Sequence, residues 1–310
     1  MKVRSWGIAT TMALVMVAGL GPIVRSQPEE SREPLGSSWS RRVPGVIGLA
    51  VSPGGARVLA LNLYERLLCY DDAGSLLWAR DSGGADRVAT SQGGALTLTY
   101  STRQPLAREV SFIDEGGRRI HVLTPAEPVE CAVVSADGRR AAIAAGKSLL
   151  FCSRGKNGIR HRVVRLPGEA RQVQLGPADT MYVACRNPHL VQLVKSSGKV
   201  LWRRKAPNNT AYSIAASEDG RLLAIGNQET PDRVQVSLVT SRNESRWTDV
   251  RAGRAPQVRI SASGATATLA YQHQVAREHQ SRFEQRLTYL GEGMRGAWPK
   301  GGSFTAPVPV

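Results

Sequence analysis

The chain is poor in the residues that carry most enzyme chemistry. Among its 310 residues are 5 histidines, 4 cysteines and 4 phenylalanines, and aromatic residues make up only 5%. Cys69, Cys131, Cys152 and Cys185 form no Cys-x-x-Cys pair, which removes zinc-ribbon and thioredoxin-like chemistry. There is no Gly-x-Ser-x-Gly, no His-Glu-x-x-His and no phosphate-cradling glycine loop. Nucleophilic hydrolysis, zinc proteolysis and nucleotide binding therefore have no foothold. Helical patterning is equally scarce. After the first 25 positions no long stretch repeats apolar residues at three- and four-residue steps, which excludes a mainly helical domain.

What the chain does have is turns and short apolar runs. A hydrophobic share of 42% at a mean hydropathy of -0.23 is enough to fill a core, and 31 glycines with 17 prolines imply many turns. Alternating runs rich in Val, Leu, Ile and Thr read as strands. At the N-terminus, Lys2 and Arg4 precede an almost uncharged run from Gly7 to Val24, closed by Arg25. That run reads as an export signal or a membrane anchor, since it is long for a signal core and just long enough for a tilted span. Residues 1–26 are thus expected to be signal or anchor, 27–36 a flexible tether rich in Pro, Glu, Ser and Arg, and 37–310 the folded domain. The positive start predicts delivery outside the cytoplasm, either secreted or anchored by this segment.

The strongest signal is an internal period. Ser-x-x-Gly turns close short apolar runs at Ser52–Gly55, Ser91–Gly94, Ser135–Gly138, Ser217–Gly220 and Ser261–Gly264, in steps of 39, 44, 82 and 44. Gly176 is expected to fill the gap inside the double step. A second series runs in phase: Gly74, Gly198 and Asn243 each precede a tryptophan by four residues, giving Trp78, Trp202 and Trp247. Trp39 and Trp298 stand in similar segments; where Trp is missing, Gly117 leads to His121 and Gly158 to the segment around His161 and Arg162, with His121 and His161 expected at the tryptophan place. With strand-like runs between the two turn series, each unit is four strands. A thin four-stranded meander cannot hide both its faces, so such units pack face to face around an axis. The expected fold is an all-β propeller of four-stranded antiparallel blades. Its outer-strand tryptophans Trp39, Trp78, Trp202, Trp247 and Trp298 would lie between blades, each covering about 150–250 Å².

Asp71 to Trp78 and Lys195 to Trp202 resemble the pyrroloquinoline-quinone (PQQ) type propeller repeat, and Ser135 to Gly138 and Ser217 to Gly220 resemble the first hairpin of WD-type repeats. The resemblance spans roughly residues 36–300, concerns blade architecture, and covers families with many unrelated functions. A quinoprotein dehydrogenase would resemble a larger ring with adjacent cysteines and a calcium-holding carboxylate and amide set; none of these matches a residue here. Six blades are expected, with seven as the alternative, because a seventh would lack its two middle strands. Ser37 to Val43 would clasp the ring by pairing into the last blade, with Gly296 to Lys300 competing for that place and Ser303 to Val310 as a candidate seventh innermost strand.

The remaining candidates are weighed against structural roles. Lys and Arg exceed Asp and Glu by 41 to 25, a net charge of +16. Many cations follow the tryptophan positions, at Arg41, Arg42, Arg80, Arg203, Arg204, Lys205 and Lys300. They read as protection of outer edges or as a belt for anionic polymer or lipid headgroups; export argues against nucleic acid. The cysteines read as buried thiols, with Cys131 and Cys152 the one pair placed to be oxidised. His273 and His279 fall in a polar stretch that lengthens one hairpin, with Glu278 as the one carboxylate at ligand spacing. Asp71-Asp72, Asp114-Glu115 and Glu218-Asp219 fall at turns, which favour Asp. No catalytic, cofactor-binding or metal-binding residue is expected. The domain is read as a non-catalytic binding or scaffolding module with an unknown protein or anionic-polymer partner, alternatively as an electrostatic binder of anionic envelope polymer or membrane, and less so as a quinoprotein-like oxidoreductase.

Overall fold

The computed structural model describes residues 39–52, 55–103, 108–205, 213–261, 264, 266–277 and 280–291, from 271 on as backbone. They form 23 strands in six antiparallel meanders. Sheet 1 is β1 (Val46–Val51), β2 (Arg57–Asn62), β3 (Arg66–Asp71) and β4 (Leu76–Asp81). Sheet 2 is β5 (Arg87–Thr90), β6 (Leu96–Tyr100), β7 (Val110–Asp114) and β8 (Arg119–Leu123). Sheet 3 is β9 (Val129–Val134), β10 (Arg140–Ala145), β11 (Ser148–Gly155) and β12 (Gly158–Arg165). Sheet 4 is β13 (Glu169–Leu175), β14 (Thr180–Arg186), β15 (Leu190–Lys195) and β16 (Val200–Lys205). Sheet 5 is β17 (Ser213–Ala216), β18 (Leu222–Thr230), β19 (Arg233–Thr240) and β20 (Ser245–Ala252). Sheet 6 has three described strands, β21 (Arg254–Ile260), β22 (Thr266–Arg277) and β23 (Gln280–Gly291).

First strands of successive sheets touch one another, from β1 on β5 through to β17 on β21, so they stand around a common axis. This is a β-propeller with six blades. Each sheet-to-sheet interface holds its own core: Leu59, Leu61 and Cys69 with Ile113 between sheets 1 and 2, Leu98, Phe112 and Ile143 between 2 and 3, Ala144, Phe151 and Val183 between 3 and 4. Tyr182, Leu193 and Ile225 fill the interface of sheets 4 and 5, and Val236, Leu238 and Val258 that of 5 and 6. Every fully buried Leu, Ile or Phe contributes about 1.5–3 kcal/mol, so stability is spread over five separate seams among the described residues.

The Ser-x-x-Gly motif has a physical basis. At Ser52, Ser91, Ser135 and Ser217 the buried hydroxyl oxygen accepts a hydrogen bond from the backbone N–H five residues on, at 2.8 to 3.0 Å. This fixes the first hairpin of sheets 1, 2, 3 and 5. In sheet 4 Gly176 takes the place of the serine and not of the glycine, donating its N–H to Thr180 O at 3.0 Å. A Cβ there would collide with the Thr180 hydroxyl and crowd Leu193, and a Cβ on Gly220 of sheet 5 would come within 2.7 Å of the Gly176 Cα.

The face of sheet 1 turned away from sheet 2 is covered differently from the rest. On the first strands of sheets 3, 4 and 6 the residues facing the previous sheet are covered, with Ala132 at 4% and Val173 and Val258 at 0% exposure. In sheet 1 Leu49 and Val51 keep 40%, and Gln257 and Arg259 on β21 are exposed as well. The N-terminal segment covers the outer part of this face. Trp39 lies with its ring centre 5.8 Å from that of Tyr70 and directly over Gly74, and Arg41 Nε donates to Gly74 O at 3.1 Å. Residues 39–43 are in no hydrogen-bonded strand.

Candidate binding surfaces

The outer strands carry a repeated lock. Trp78 on β4 lies over Gly117 of sheet 2, with Nε1–H donating to Glu115 O at 2.9 Å, and Arg80 two residues later donates to Gly117 O at 2.6 Å. Trp202 on β16 does the same towards sheet 5, donating to Ser241 O at 2.9 Å, with Arg204 on Ser245 Oγ at 3.2 Å. Trp39-x-Arg41 on Gly74 repeats the pattern from the N-terminal segment. Trp247 packs against the seam towards sheet 6, while Trp298 lies outside the described residues. The seat asks for a positive φ, which Gly74 (+79°) and Gly117 (+80°) supply and which Asn243 (+67°) supplies in the turn that Trp202 bonds. A Cβ on Gly117 would come within 2.8 Å of the Trp78 ring, and its φ of +80° disfavours any L side chain.

His121 occupies the tryptophan place of sheet 2, edge-on to Phe112 at 5.5 Å. In sheet 3 the expectation shifts by one residue. His161 pairs with Cys152, which faces sheet 2, whereas Arg162 pairs with Phe151, which faces sheet 4. Arg162 also stands four residues after Gly158, the spacing of the other outer hairpins; those hairpins each contain a bulge, and β11–β12 contains none.

The sequence's other chemical candidates are occupied by structure. Cys131 on β9 and Cys152 on β11 lie two strands apart on opposite faces of sheet 3. All four thiols are free. Two strand spacings, about 9.6 Å, exceed disulfide reach. Burial pushes the Cys69 thiol up to about 11 and those of Cys152 and Cys185 up to about 12. Asp71 Oδ1 accepts from the N–H groups of Ala73 and Ser75, and Asp114 Oδ1 from that of Arg118. Burial would raise the Asp137 and Asp219 carboxyls, but the hydroxyls of Ser135 and Ser217 and the N–H groups of Arg139 and Arg221 hold both below their ordinary value. Among the described residues no three His, Cys, Asp or Glu side chains gather as metal ligands. His273 is on β22, whose side chain at that point is not described, and Glu278 and His279 lie outside the described residues. No helix among the described residues is long and apolar enough to cross a membrane.

Two surfaces stand out. At one end of the ring the β2–β3 turn presents Leu63 at 62% and Tyr64 at 70% exposure, beside Val46 at 43%. At the perimeter the β11–β12 hairpin carries Arg154, Lys156, Arg160, Arg162 and Arg165 with no acidic residue between them. Arg165 is paired with Glu127 at 3.2 Å and Arg154 donates to Ala95 O at 2.7 Å. The side chains of Lys156, Arg160 and Arg162 make no hydrogen bond or ion pair with a described residue. A crevice of about 290 Å³ at the hairpin tip is lined by Ser153, Arg154, Lys156, Asn157 and Arg160. Of the cations expected as edge guards, Arg41, Arg80 and Arg204 tie neighbouring sheets together, whereas on β12 the side chains of Arg160 and Arg162 have no such partner among the described residues.

No protein-family model matches the chain, and no characterised protein sequence is similar to it. Solved structures are similar in fold. The β-propeller domain of Myceliophteria thermophila Cps50 (Swd1) superposes with a TM-score of 0.60 at 11% identity, over 82% of this chain and 88% of that one. The Dos1 propeller does so with a TM-score of 0.56 at 12% identity, over 80% and 72%. At such identities the likeness establishes the propeller fold and nothing finer.

Proposed function

We propose that the protein is a non-catalytic binding or scaffolding propeller that works outside the cytoplasm. The observation that carries this reading is the contrast between its spent and unspent groups. The thiols and turn carboxylates are consumed by burial or by backbone hydrogen bonds. Large apolar side chains are instead presented to solvent at a loop tip, at Leu63 and Tyr64. Loop clusters at the end of a rigid ring are a common place for partner binding. The export reading rests on Lys2, Arg4 and the apolar run Gly7–Val24. N-terminal sequencing of the mature protein tests it and separates secretion from anchoring.

The binding reading is tested by a photo-crosslinking residue at position 64 in the producing cells. A discrete adduct, lost when Leu63 is replaced by Asp, is the expected result. Equal labelling from an outer-strand position such as Val122, or turnover of an alcohol or sugar by the purified protein with added quinone, would reverse the reading. A second reading, an electrostatic binder of anionic envelope polymer or membrane, is favoured by the net charge of +16. Its signature is steep loss of binding with salt.

A further inference from the structure

The outer strand of sheet 3 differs from the other described outer strands in three ways. Its ladder with β11 runs through eight consecutive pairs, Ser148–Arg165 to Gly155–Gly158, without a bulge, while β4, β8, β16 and β20 are each interrupted by one. Bulges twist an edge away from further pairing, so their absence leaves a regular template for another strand. Arg160 to Val163 are all exposed, and the neighbouring loop reaches the strand at its far end, through Glu127 on Arg165. Finally, Arg160 and Arg162 project on one face of the strand, about 7 Å apart by strand geometry; no described carboxylate meets either.

We infer that β12 is a strand-addition site for an extended acidic peptide of a partner protein, whose carboxylates at alternate positions meet Arg160 and Arg162. The inference rests on the reading of the protein as a binding module and names a partner class and a place. Main-chain hydrogen bonds to the open edge would supply affinity, and the alternating cations would set register and specificity. A peptide residue directly opposite a strand residue repeats every second position, so carboxylates two apart on the peptide match arginines two apart on β12. A second copy of this chain is disfavoured as occupant, because its own β12 would bring the same cations face to face. The crevice lined by Arg154, Lys156 and Arg160 lies at the hairpin tip, in line to receive a further carboxylate where the added strand leaves the sheet.

The test uses the full-length protein and labelled synthetic peptides followed by fluorescence anisotropy. One peptide alternates Val and Glu, a second has the same composition with all Glu in one block, and a third is the alternating peptide N-methylated at every second amide. The alternating peptide is expected to bind about tenfold or more tightly than the other two, to protect β12 amides from exchange, and to lose about tenfold when Arg160→Glu and Arg162→Glu are combined. Should that variant fail to fold, the N-methylated comparison on the unaltered protein still decides. Equal binding of all three peptides would reduce β12 to a diffuse polyanion surface and overturn the inference, as would complete competition by anionic phosphatidylglycerol vesicles. Adduct formation at position 64 with no peptide bound at β12 would remove this site and leave the binding-module reading intact, whereas failure of both assays would remove both.

Discussion

The lock between sheets 1 and 2 can be taken apart by a double-mutant cycle. Gly117→Ala adds a methyl group at a φ of +80° and 2.8 Å from the Trp78 ring. Left-handed backbone costs an L residue about 1–2 kcal/mol, and forcing the indole aside costs about 1–3 kcal/mol more. Trp78→Ala removes a half-buried ring and the bond to Glu115 O, for about 2–4 kcal/mol once the values for buried Trp are scaled down for exposure. In the double variant the collision is gone and only the backbone strain remains. The two costs should therefore fall short of additivity by about 1–3 kcal/mol. Gly93→Ala isolates the strain, since Gly93 has φ +66° with nothing within 4 Å of its added Cβ; it should cost about 1–2 kcal/mol. Urea midpoints at constant m-value read all four quantities. If the single costs add to within about 0.5 kcal/mol, or if Gly93→Ala costs as much as Gly117→Ala, the account of why a glycine lies beneath the Trp78 ring is wrong.

Trp39→Ala should lower the urea midpoint by an amount similar to Trp78→Ala and speed amide exchange in β1, because Trp39 and Arg41 hold the outer face of sheet 1 through Gly74; an unchanged midpoint would mean that the N-terminal segment clasps nothing. The carboxyls of Asp137 and Asp219 are held below their ordinary value in the folded protein, so their contribution is full above the unfolded value of about 3.9 and drains as pH falls through the folded one. Asp137→Asn should consequently destabilise the protein at pH 7 and flatten its loss of stability below about pH 4, as followed by thermal unfolding across pH; parallel curves would refute the assignment. Thiols raised to about 11 and 12 at Cys69, Cys152 and Cys185 should resist a thiol reagent at neutral pH until denaturant is added, and rapid labelling of the native protein would contradict their burial.

The blades were readable because each rests on a local rule repeated in phase. Ser-x-x-Gly marks a hairpin whose serine oxygen takes a backbone hydrogen bond, and Gly-x-x-x-Trp marks a turn of positive φ that glycine, or Asn243 in sheet 5, can adopt beneath the neighbouring tryptophan. Sheet 4 shows the limit of such reading. Gly176 kept the phase while changing its role, since the loop there is one residue tighter and the glycine replaces the serine. His161 was misplaced by one residue against a signal present in the sequence itself, since four residues after Gly158 is Arg162, the residue that pairs with Phe151.

The same limit governs the functional surface. From sequence, cations after each tryptophan form one class of edge residue, yet the structure divides them by what the next sheet offers. Arg80 finds Gly117 O and Arg204 finds Ser245 Oγ, because a bulge and a tight turn bring those acceptors opposite them. Arg162 stands in the tryptophan phase itself, so the charge that elsewhere follows the lock here replaces its aromatic half. Sheet 3 then has an unlocked outer edge, on which the regular ladder, the exposed strand and the uncompensated charge coincide. A natural reversal follows. Placing Trp at position 162 should restore the lock against Gly198, whose added Cβ would lie 3.9 Å from Val164 Cγ1, raising the urea midpoint. It should at the same time weaken the alternating acidic peptide at β12, and a gain in stability with undiminished peptide binding would show that lock and binding edge are independent.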